Sequence, residues 1–259
     1  TRQPDASAEV TYSDQVARIL QRRCVECHRE GEIAPFALVD YDEVAGWAEQ
    51  IEEVVVEGRM PPWHADAKPG EFSNDRSLTS EEIDQIQAWV AAGAPQGDPD
   101  QLPESQEWTE GWQLPREPDF IAPITDEPFA VPADGAVDYK YFTIDPGFTE
   151  DQWVAAIEIQ PGNRQVVHHV LMFAGEGRDA VQRFRGGALG YDAGYVPGQR
   201  AVPYPAGMAR RIPAGSKLIF QVHYTPIGTP TTDQTRVGML MVDRSEERRV
   251  GKECRSRWS

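Results

Sequence analysis

The chain has 259 residues, a mass of 28.9 kDa and a net charge of −17, from 42 acidic and 25 basic side chains. This length suits two domains, and a 40% share of apolar residues is enough to build folded cores, which argues against wholesale disorder. The acidic charge argues against a nucleic-acid partner, and no run of 18 apolar residues is present that could span a membrane.

The first 97 residues carry helical patterns. Residues 13–23 and 41–57 place apolar side chains at helical spacing. A third helix is predicted after Thr79, which forms a capping box with Glu82. Residues 1–97 are therefore predicted to form one small all-α domain.

The C-x-x-C-H motif from Cys24 to His28 predicts covalent haem attachment. Two thiols at this spacing can each bond a vinyl group of a porphyrin, while the adjacent imidazole coordinates the iron. A thioredoxin-type motif would need a βαβ context, and a zinc site would need a second ligand pair at suitable spacing. We expect Cys24 and Cys27 to hold haem c, with His28 as an axial iron ligand.

Two side chains are candidates for the sixth iron ligand. Met60 precedes Pro61 and Pro62, and His64 follows closely. The Met-Pro-Pro sequence resembles the distal-ligand loop of small c-type cytochromes, so we favour Met60, with His64 as the alternative. His/Met ligation gives a higher reduction potential than ligation by two histidines. As a whole, residues 10–97 resemble the small cytochrome c domains that bacteria fuse to other redox modules.

Beyond a linker predicted at residues 98–118, which is rich in proline and acidic side chains, the pattern changes to β-strands. The predicted strands are residues 139–144, 153–159, 166–173, 217–224 and 236–242. No helical pattern separates them, so an antiparallel arrangement is favoured over βαβ units. The expected fold class is an all-α domain followed by an antiparallel β-sandwich at residues 119–244.

Three of the five histidines, His168, His169 and His223, lie on these predicted strands. Imidazole is a common metal ligand that suits copper and zinc. Neighbouring side chains on a regular strand point to opposite faces, so the first two can share one ion only if the backbone bends or the rings bind through different nitrogens. The alternative is one buried and one exposed histidine without a metal.

The sequence around these histidines resembles the ascorbate-dependent copper monooxygenases, the family of peptidylglycine α-hydroxylating and dopamine β-monooxygenases. Residues 166–173 (VVHHVLMF) and 220–224 (FQVHY) are similar to two copper-binding strands of its N-terminal domain. The resemblance covers residues 119–243. It implies an electron-transfer copper held by His168, His169 and His223, with dioxygen activated at a second copper in a following domain.

Two features depart from that family. No histidine follows His223, and no cysteine lies between residues 119 and 243, so the second copper site and the family's disulfides are missing here. We therefore expect a truncated protein without catalytic residues of its own.

The expected function is electron transfer from haem c to a three-histidine copper site, as part of an O₂-dependent copper hydroxylase. The expected partners are an electron donor protein or small reductant and, for the full-length enzyme, dioxygen and a small-molecule substrate. A non-catalytic electron-transfer or metal-binding protein is the alternative. A three-histidine zinc hydrolase is the third interpretation, and it lacks an adjacent acidic general base.

Covalent haem attachment takes place outside the bacterial cytoplasm, so the resemblance implies a periplasmic or exported protein. Any signal peptide is expected to have been removed or to lie outside this sequence. Residues 245–259 carry five basic and three acidic side chains together with Cys254, and they show no periodicity. This tail is predicted to be non-native, and a disordered native tail is the alternative.

Overall fold

The computed structural model describes residues 9–63, 65, 72, 74–109, 111–175, 190–199 and 201–243. The chain divides into two compact units, Thr1–Glu107 and Trp108–Ser259. This division falls inside the segment 98–118 that was predicted to be a linker. The predicted tail at 245–259 lies outside the described residues.

The helices of the N-terminal unit are short. A π-helical turn at Tyr12–Val16 leads directly into α1 (Ala17–Arg23), and the Thr11 side chain caps this turn by accepting a hydrogen bond from Asp14 N. The remaining helices are α2 (Tyr41–Gly46), α3 (Ala48–Val56), α4 (Ser80–Ala91) and a 3₁₀ turn at Pro99–Gln101. The helix predicted to be continuous over 41–57 is interrupted at Trp47, whose ψ of 8° departs from helical geometry.

The two ends of this unit meet beside α4. Tyr12 N and the Trp89 ring Nε1 both donate to Pro95 O, at 2.9 and 3.0 Å. Gly97 has a φ of +78°, and a Cβ there would lie 2.4 Å from Thr11 Oγ1, so only glycine allows this close approach. The buried apolar side chains of the helices include Val16, Ile19, Leu20, Val44, Ile51, Val55, Ile86 and Trp89.

The C-terminal unit consists of antiparallel strands. In chain order they are β1 (Phe120–Pro123), β2 (Phe129–Val131), β3 (Lys140–Ile144), β4 (Gln152–Gln160), β5 (Val167–Gly175), β6 (Ala193–Tyr195), β7 (Arg210–Ile212), β8 (Lys217–Tyr224), β9 (Thr231–Asp233) and β10 (Arg236–Met241). They form a sheet with the order β1-β10-β4-β7, a second with β3-β8-β5-β6, and a pair β2-β9.

One apolar core collects side chains from all three of these sheets. It includes Val154, Met239 and Ile212 from the first four-stranded sheet, Val170, Met172, Phe220 and Val222 from the second, and Val131 from the pair. On β8 burial alternates residue by residue, so Val222 faces the core while Gln221 and His223 face away from it. This alternation leaves one side of β8 available for a polar site.

The predicted fold class, an all-α domain followed by an antiparallel β-sandwich, is wrong. The structure is mainly antiparallel β-sheet, and its described residues contain four α-helices of 6 to 12 residues. The helical pattern was over-extended, because Trp47 divides the helix predicted over residues 41–57 into two. Among the described residues, the strands form three sheets instead of two, because the short strands β2 and β9 pair with each other and with no other described strand.

The prediction that the chain has no membrane span agrees with the structure. None of the helices formed by the described residues has both the length and the apolar character needed to cross a bilayer.

Candidate metal centre

Three histidines from two neighbouring strands converge in the C-terminal unit. His168 and His169 lie on β5, and His223 lies on β8. Each offers a ring nitrogen, and these atoms all lie within 4.8 Å of one another. The structure thus brings together the three histidines that were predicted to bind copper.

A β-bulge explains how two consecutive histidines reach the same side of a strand. His169 pairs with His223, but Val167 pairs with Tyr224, so His168 is an extra residue in β5. The bulge breaks the alternation of the strand: Val167 and Val170 are both fully buried, and the two histidines between them face away from the core. The bend that sharing one ion requires is therefore present.

The three rings are close to one another, and a tyrosine flanks them. Ring centroids lie 4.9 Å apart for His168 and His223, 5.4 Å for His169 and His223, and 5.5 Å for His168 and His169. The Nδ1 atoms of His168 and His169 are 3.3 Å apart. The Tyr139 ring lies 4.9 Å from His223 and 5.6 Å from His169, so it covers one side of the cluster.

The surroundings favour neutral imidazoles. Burial lowers the pKa of His168 below its ordinary value, and the proximity of His223 lowers it further. Burial also lowers the pKa of His169, as do the two other histidines, and a hydrogen bond with Gln221 offsets this only in part. A neutral ring keeps the lone pair that a metal ion needs, so the lowered pKa of His168 and His169 favours the form that binds a metal.

The donor set restricts which ions fit. Among the described residues, the cluster consists of three imidazoles and includes no carboxylate. Nitrogen donors suit copper and zinc, whereas calcium and magnesium prefer oxygen. Since His168 is exposed, the cluster is open on one side, where a fourth ligand could approach.

The haem motif lies on a single turn at the end of α1. Cys24 N donates to Leu20 O at 2.8 Å, and the amides of Cys27 and His28 both donate to Cys24 O, at 3.0 and 2.9 Å. Both thiols are free. Burial raises the pKa of Cys24 to about 12, with smaller contributions from Cys27 and Glu82.

His28 has the hydrogen-bond partner expected of an iron ligand. Its Nδ1 is 3.2 Å from Phe36 O, so an Nδ1–H donor would leave Nε2 with the lone pair. Burial lowers the pKa of His28, which favours the neutral ring. The Phe36 ring packs against it with a centroid distance of 4.9 Å. These residues fit the attachment of a c-type haem.

The two candidates for the sixth iron ligand are placed differently. Met60 follows α3, its amide donates to Val54 O at 3.1 Å, and its side chain is 40% exposed. His64 lies outside the described residues. Met60 stays the predicted ligand, with His64 as the alternative.

Sequence reasoning did not identify Tyr139, which flanks the histidine cluster, or Asp233, whose carboxylate accepts a hydrogen bond from the Tyr224 hydroxyl. Tyr139 precedes β3, and the alternation of that strand does not distinguish it from Tyr141. Asp233 ends β9, 10 positions after His223, and its relation to the cluster depends on strand pairing. No local signal could have identified either residue.

No protein-family model matches this chain, and no curated protein is found to be similar.

Proposed function

We propose that this chain is a one-electron redox protein that carries haem c at Cys24, Cys27 and His28 and copper at His168, His169 and His223. In the intact protein, electrons would pass from the haem to this copper and on to a site that hydroxylates a C–H bond with dioxygen. The observation that carries the proposal is the convergence of three imidazoles through a bulge in β5.

At the haem site, the protein residues attach and orient the group. Cys24 and Cys27 would form the two thioether bonds, and the turn that joins them holds His28 beside them. The Phe36 carbonyl orients the His28 ring by accepting its Nδ1–H, which would leave Nε2 to bind the haem iron. Bound haem c would supply an iron centre that accepts and donates one electron at a time.

At the histidine site, the sheet fixes the ligands before any metal arrives. His169 and His223 are held opposite each other by the pairing of β5 and β8, and the bulge adds His168. Ligands fixed in this way change little when the charge of the ion changes, which favours fast electron transfer. Copper bound there would alternate between its Cu(I) and Cu(II) states.

The hydroxylase part of the proposal is supported by the sequence resemblance around the histidines. Copper-dependent hydroxylation uses two electrons in each turnover, delivered singly, and a fused haem could supply them in place of ascorbate. We expect a donor protein or small reductant on the haem side, and a periplasmic or exported location, since haem c is attached there.

A non-catalytic electron-transfer protein is the second candidate. It is favoured by one observation: in the part of the chain that the structure describes, the three-histidine cluster is the one group of three or more His, Cys, Asp or Glu side chains close enough to share an ion. Product formation with dioxygen, measured in the presence of both metals, distinguishes the two candidates.

The proposal predicts copper binding and electron transfer in the same chain. The protein would be produced with haem attachment in a bacterial periplasm, loaded with Cu(II), and studied by metal analysis and EPR. We expect one Cu(II) per chain with a type 2 spectrum. One equivalent of electrons, entering at the haem without oxygen, should remove that signal.

Two variants control this experiment. His223→Ala should lose the copper signal and keep the haem spectrum, since it removes one ligand of three. Thr143→Ala, on β3 at an exposed position of the same sheet, should retain both. Zinc bound in place of copper, or no bound metal, would contradict the proposal, as would a Cu(II) signal that reduction of the haem leaves unchanged.

A further inference from the structure

A single buried carboxylate joins the two strands that carry the histidines. Asp233 lies at the end of β9 and is only 2% exposed. Its Oδ1 atom accepts hydrogen bonds from the amides of Gly162 and Asn163, both at 2.9 Å. Its Oδ2 atom accepts from the Tyr224 hydroxyl at 2.9 Å. Thr235 adds two more donors, its hydroxyl at 2.8 Å and its amide at 3.2 Å.

One branch of this network leads to the bulge. Asn163, whose amide binds Asp233, accepts hydrogen bonds at its carbonyl from the amides of Val166 and Val167, both at 3.3 Å. Val167 immediately precedes His168. The turn at residues 161–163 packs closely against the segment after Asp233, because a Cβ on Gly162 would lie 2.7 Å from Gln234 N. The carboxylate thus fixes where β5 begins.

The other branch leads to His223. Tyr224 follows it on β8 and pairs with Val167 across the bulge. Its ring is 1% exposed and stacks on Phe129, with 4.9 Å between centroids. Its hydroxyl donates to Asp233 Oδ2 at 2.9 Å. Asp233 therefore holds both strands at the pair Val167–Tyr224.

This pair determines whether the histidines can meet. A shift of one residue between β5 and β8 would remove the bulge and return His168 or His169 to the core face. We propose that Asp233 is a positioning residue for the three-histidine metal site, which fixes the strand register that brings His168, His169 and His223 together. This inference rests on the proposed function, in which these histidines hold copper.

The test compares two buried carboxylates of the same unit. Asp233→Asn replaces the carboxylate that accepts five hydrogen bonds with an amide of nearly the same size. Glu158→Gln is the matched control, because Glu158 is 5% exposed, accepts from Gln113 N at 2.7 Å and lies on β4, which pairs with neither β5 nor β8. Cu(II) and Cu(I) affinities would be measured by chelator competition at a temperature at which both variants are folded, together with the Cu(II) EPR spectrum.

We expect Asp233→Asn to weaken copper binding about 10- to 100-fold and to change the EPR hyperfine splitting, as loss of a residue that orients metal ligands typically does. Glu158→Gln should lower thermal stability and leave affinity and spectrum unchanged, which separates positioning from a general loss of stability. If Asp233→Asn does not fold, Tyr224→Phe tests the same contact by removing one hydroxyl, with an expected loss of about tenfold.

The outcomes separate this inference from the proposed function. Wild-type protein that binds copper, together with folded variants of unchanged affinity and spectrum, would overturn the role of Asp233 and leave the proposed function standing. Wild-type protein that binds no copper would overturn the proposed function and this inference with it.

Discussion

Gly162 occupies a position at which the backbone of the C-terminal unit leaves no room for a side chain. A Cβ there would lie 2.7, 2.8 and 2.9 Å from three backbone atoms of Gln234. Backbone atoms cannot rotate away as a side-chain end can, so the close approach of the 161–163 turn to residues 233–235 requires glycine. The tight hydrogen bonds of this turn to Asp233 depend on that approach.

Gly162→Ala is therefore expected to destabilise the C-terminal unit by about 1 to 3 kcal/mol, because the turn must move to relieve the overlap. Chemical denaturation of the purified chain measures the change. Gly46→Ala is the control: it ends α2, a Cβ there would meet nothing within 4 Å, and alanine favours helix, so we expect a gain of up to about 1 kcal/mol. A Gly162→Ala variant as stable as the wild type would contradict the steric argument.

Among the elements, α4 has a start that its sequence specifies completely. Thr79 Oγ1 accepts from Glu82 N at 3.1 Å, and Glu82 Oε2 accepts from Thr79 N at 2.9 Å. The same carboxylate contacts the guanidinium groups of Arg22 and Arg23, at 3.3 and 3.2 Å. Burial alone would raise the pKa of Glu82, but the Thr79 amide and the two arginines outweigh it, and the net shift is downward.

This shift makes the stabilisation by Glu82 dependent on pH. Because its pKa is lower in the folded than in the unfolded state, its contribution is complete above the unfolded value, near 4.5, and is lost as the pH falls through the folded value. We expect Glu82→Gln to lower the free energy of unfolding of the N-terminal unit by about 1 to 2 kcal/mol at pH 7 and by much less at acidic pH. Denaturation at several pH values measures the difference.

Asp84→Asn is the control for this prediction, since Asp84 is an exposed acid on the same helix. Its effect should stay within about 0.5 kcal/mol, as is usual at surface positions. If Glu82→Gln lowers the free energy of unfolding equally at pH 7 and at acidic pH, the charge of Glu82 does not contribute to stability.

In β5, the local alternation of side chains predicts the direction of one histidine wrongly. Its two consecutive histidines follow the alternation rule only if one of them faces the core. The bulge at His168 changes this, and the bulge exists because β5 must pair with β8 while the 161–163 turn is held by Asp233. Pairing partners, rather than the strand's own residues, decide which way these side chains point.

At the scale of the whole molecule, the chain consists of two compact units with their own buried residues. Units of this kind commonly unfold separately, so a single free energy of unfolding does not describe the chain. We expect two thermal transitions in calorimetry. Glu82→Gln should lower one of them, and Gly162→Ala the other.

Copper should raise the transition of the C-terminal unit and leave the other unchanged, since all three candidate ligands lie in that unit. At a free concentration 100 times the dissociation constant, the gain would be about 2.7 kcal/mol. His223→Ala should abolish this gain. A single transition, or equal shifts of both, would contradict the independence of the units.

Much of the secondary structure could be predicted locally, because hydrophobic period and turn residues act over short distances. The capping box of α4 and the strand β8 lie where the pattern predicted them. The short strands β1, β2, β6, β7 and β9 were missed, because three or four residues carry too little periodicity. The predicted fold class failed for a related reason: the helical pattern was extended across Trp47, and strand pairing into three sheets is not encoded locally.

The sequence by itself determined the chemistry that is available: two thiols and an imidazole on one turn, and three imidazoles on β-strands. The order of residues in the chain and local hydrogen bonds were enough to bring the haem-motif side chains together, because these residues are neighbours in the sequence. Only the tertiary structure decided that His168, His169 and His223 meet, because this depends on the register of β5 with β8. Asp233 supports that register by its hydrogen bond with Tyr224 on β8. Those contacts join residues that are far apart in sequence, so their free energy appears only when the sheets assemble.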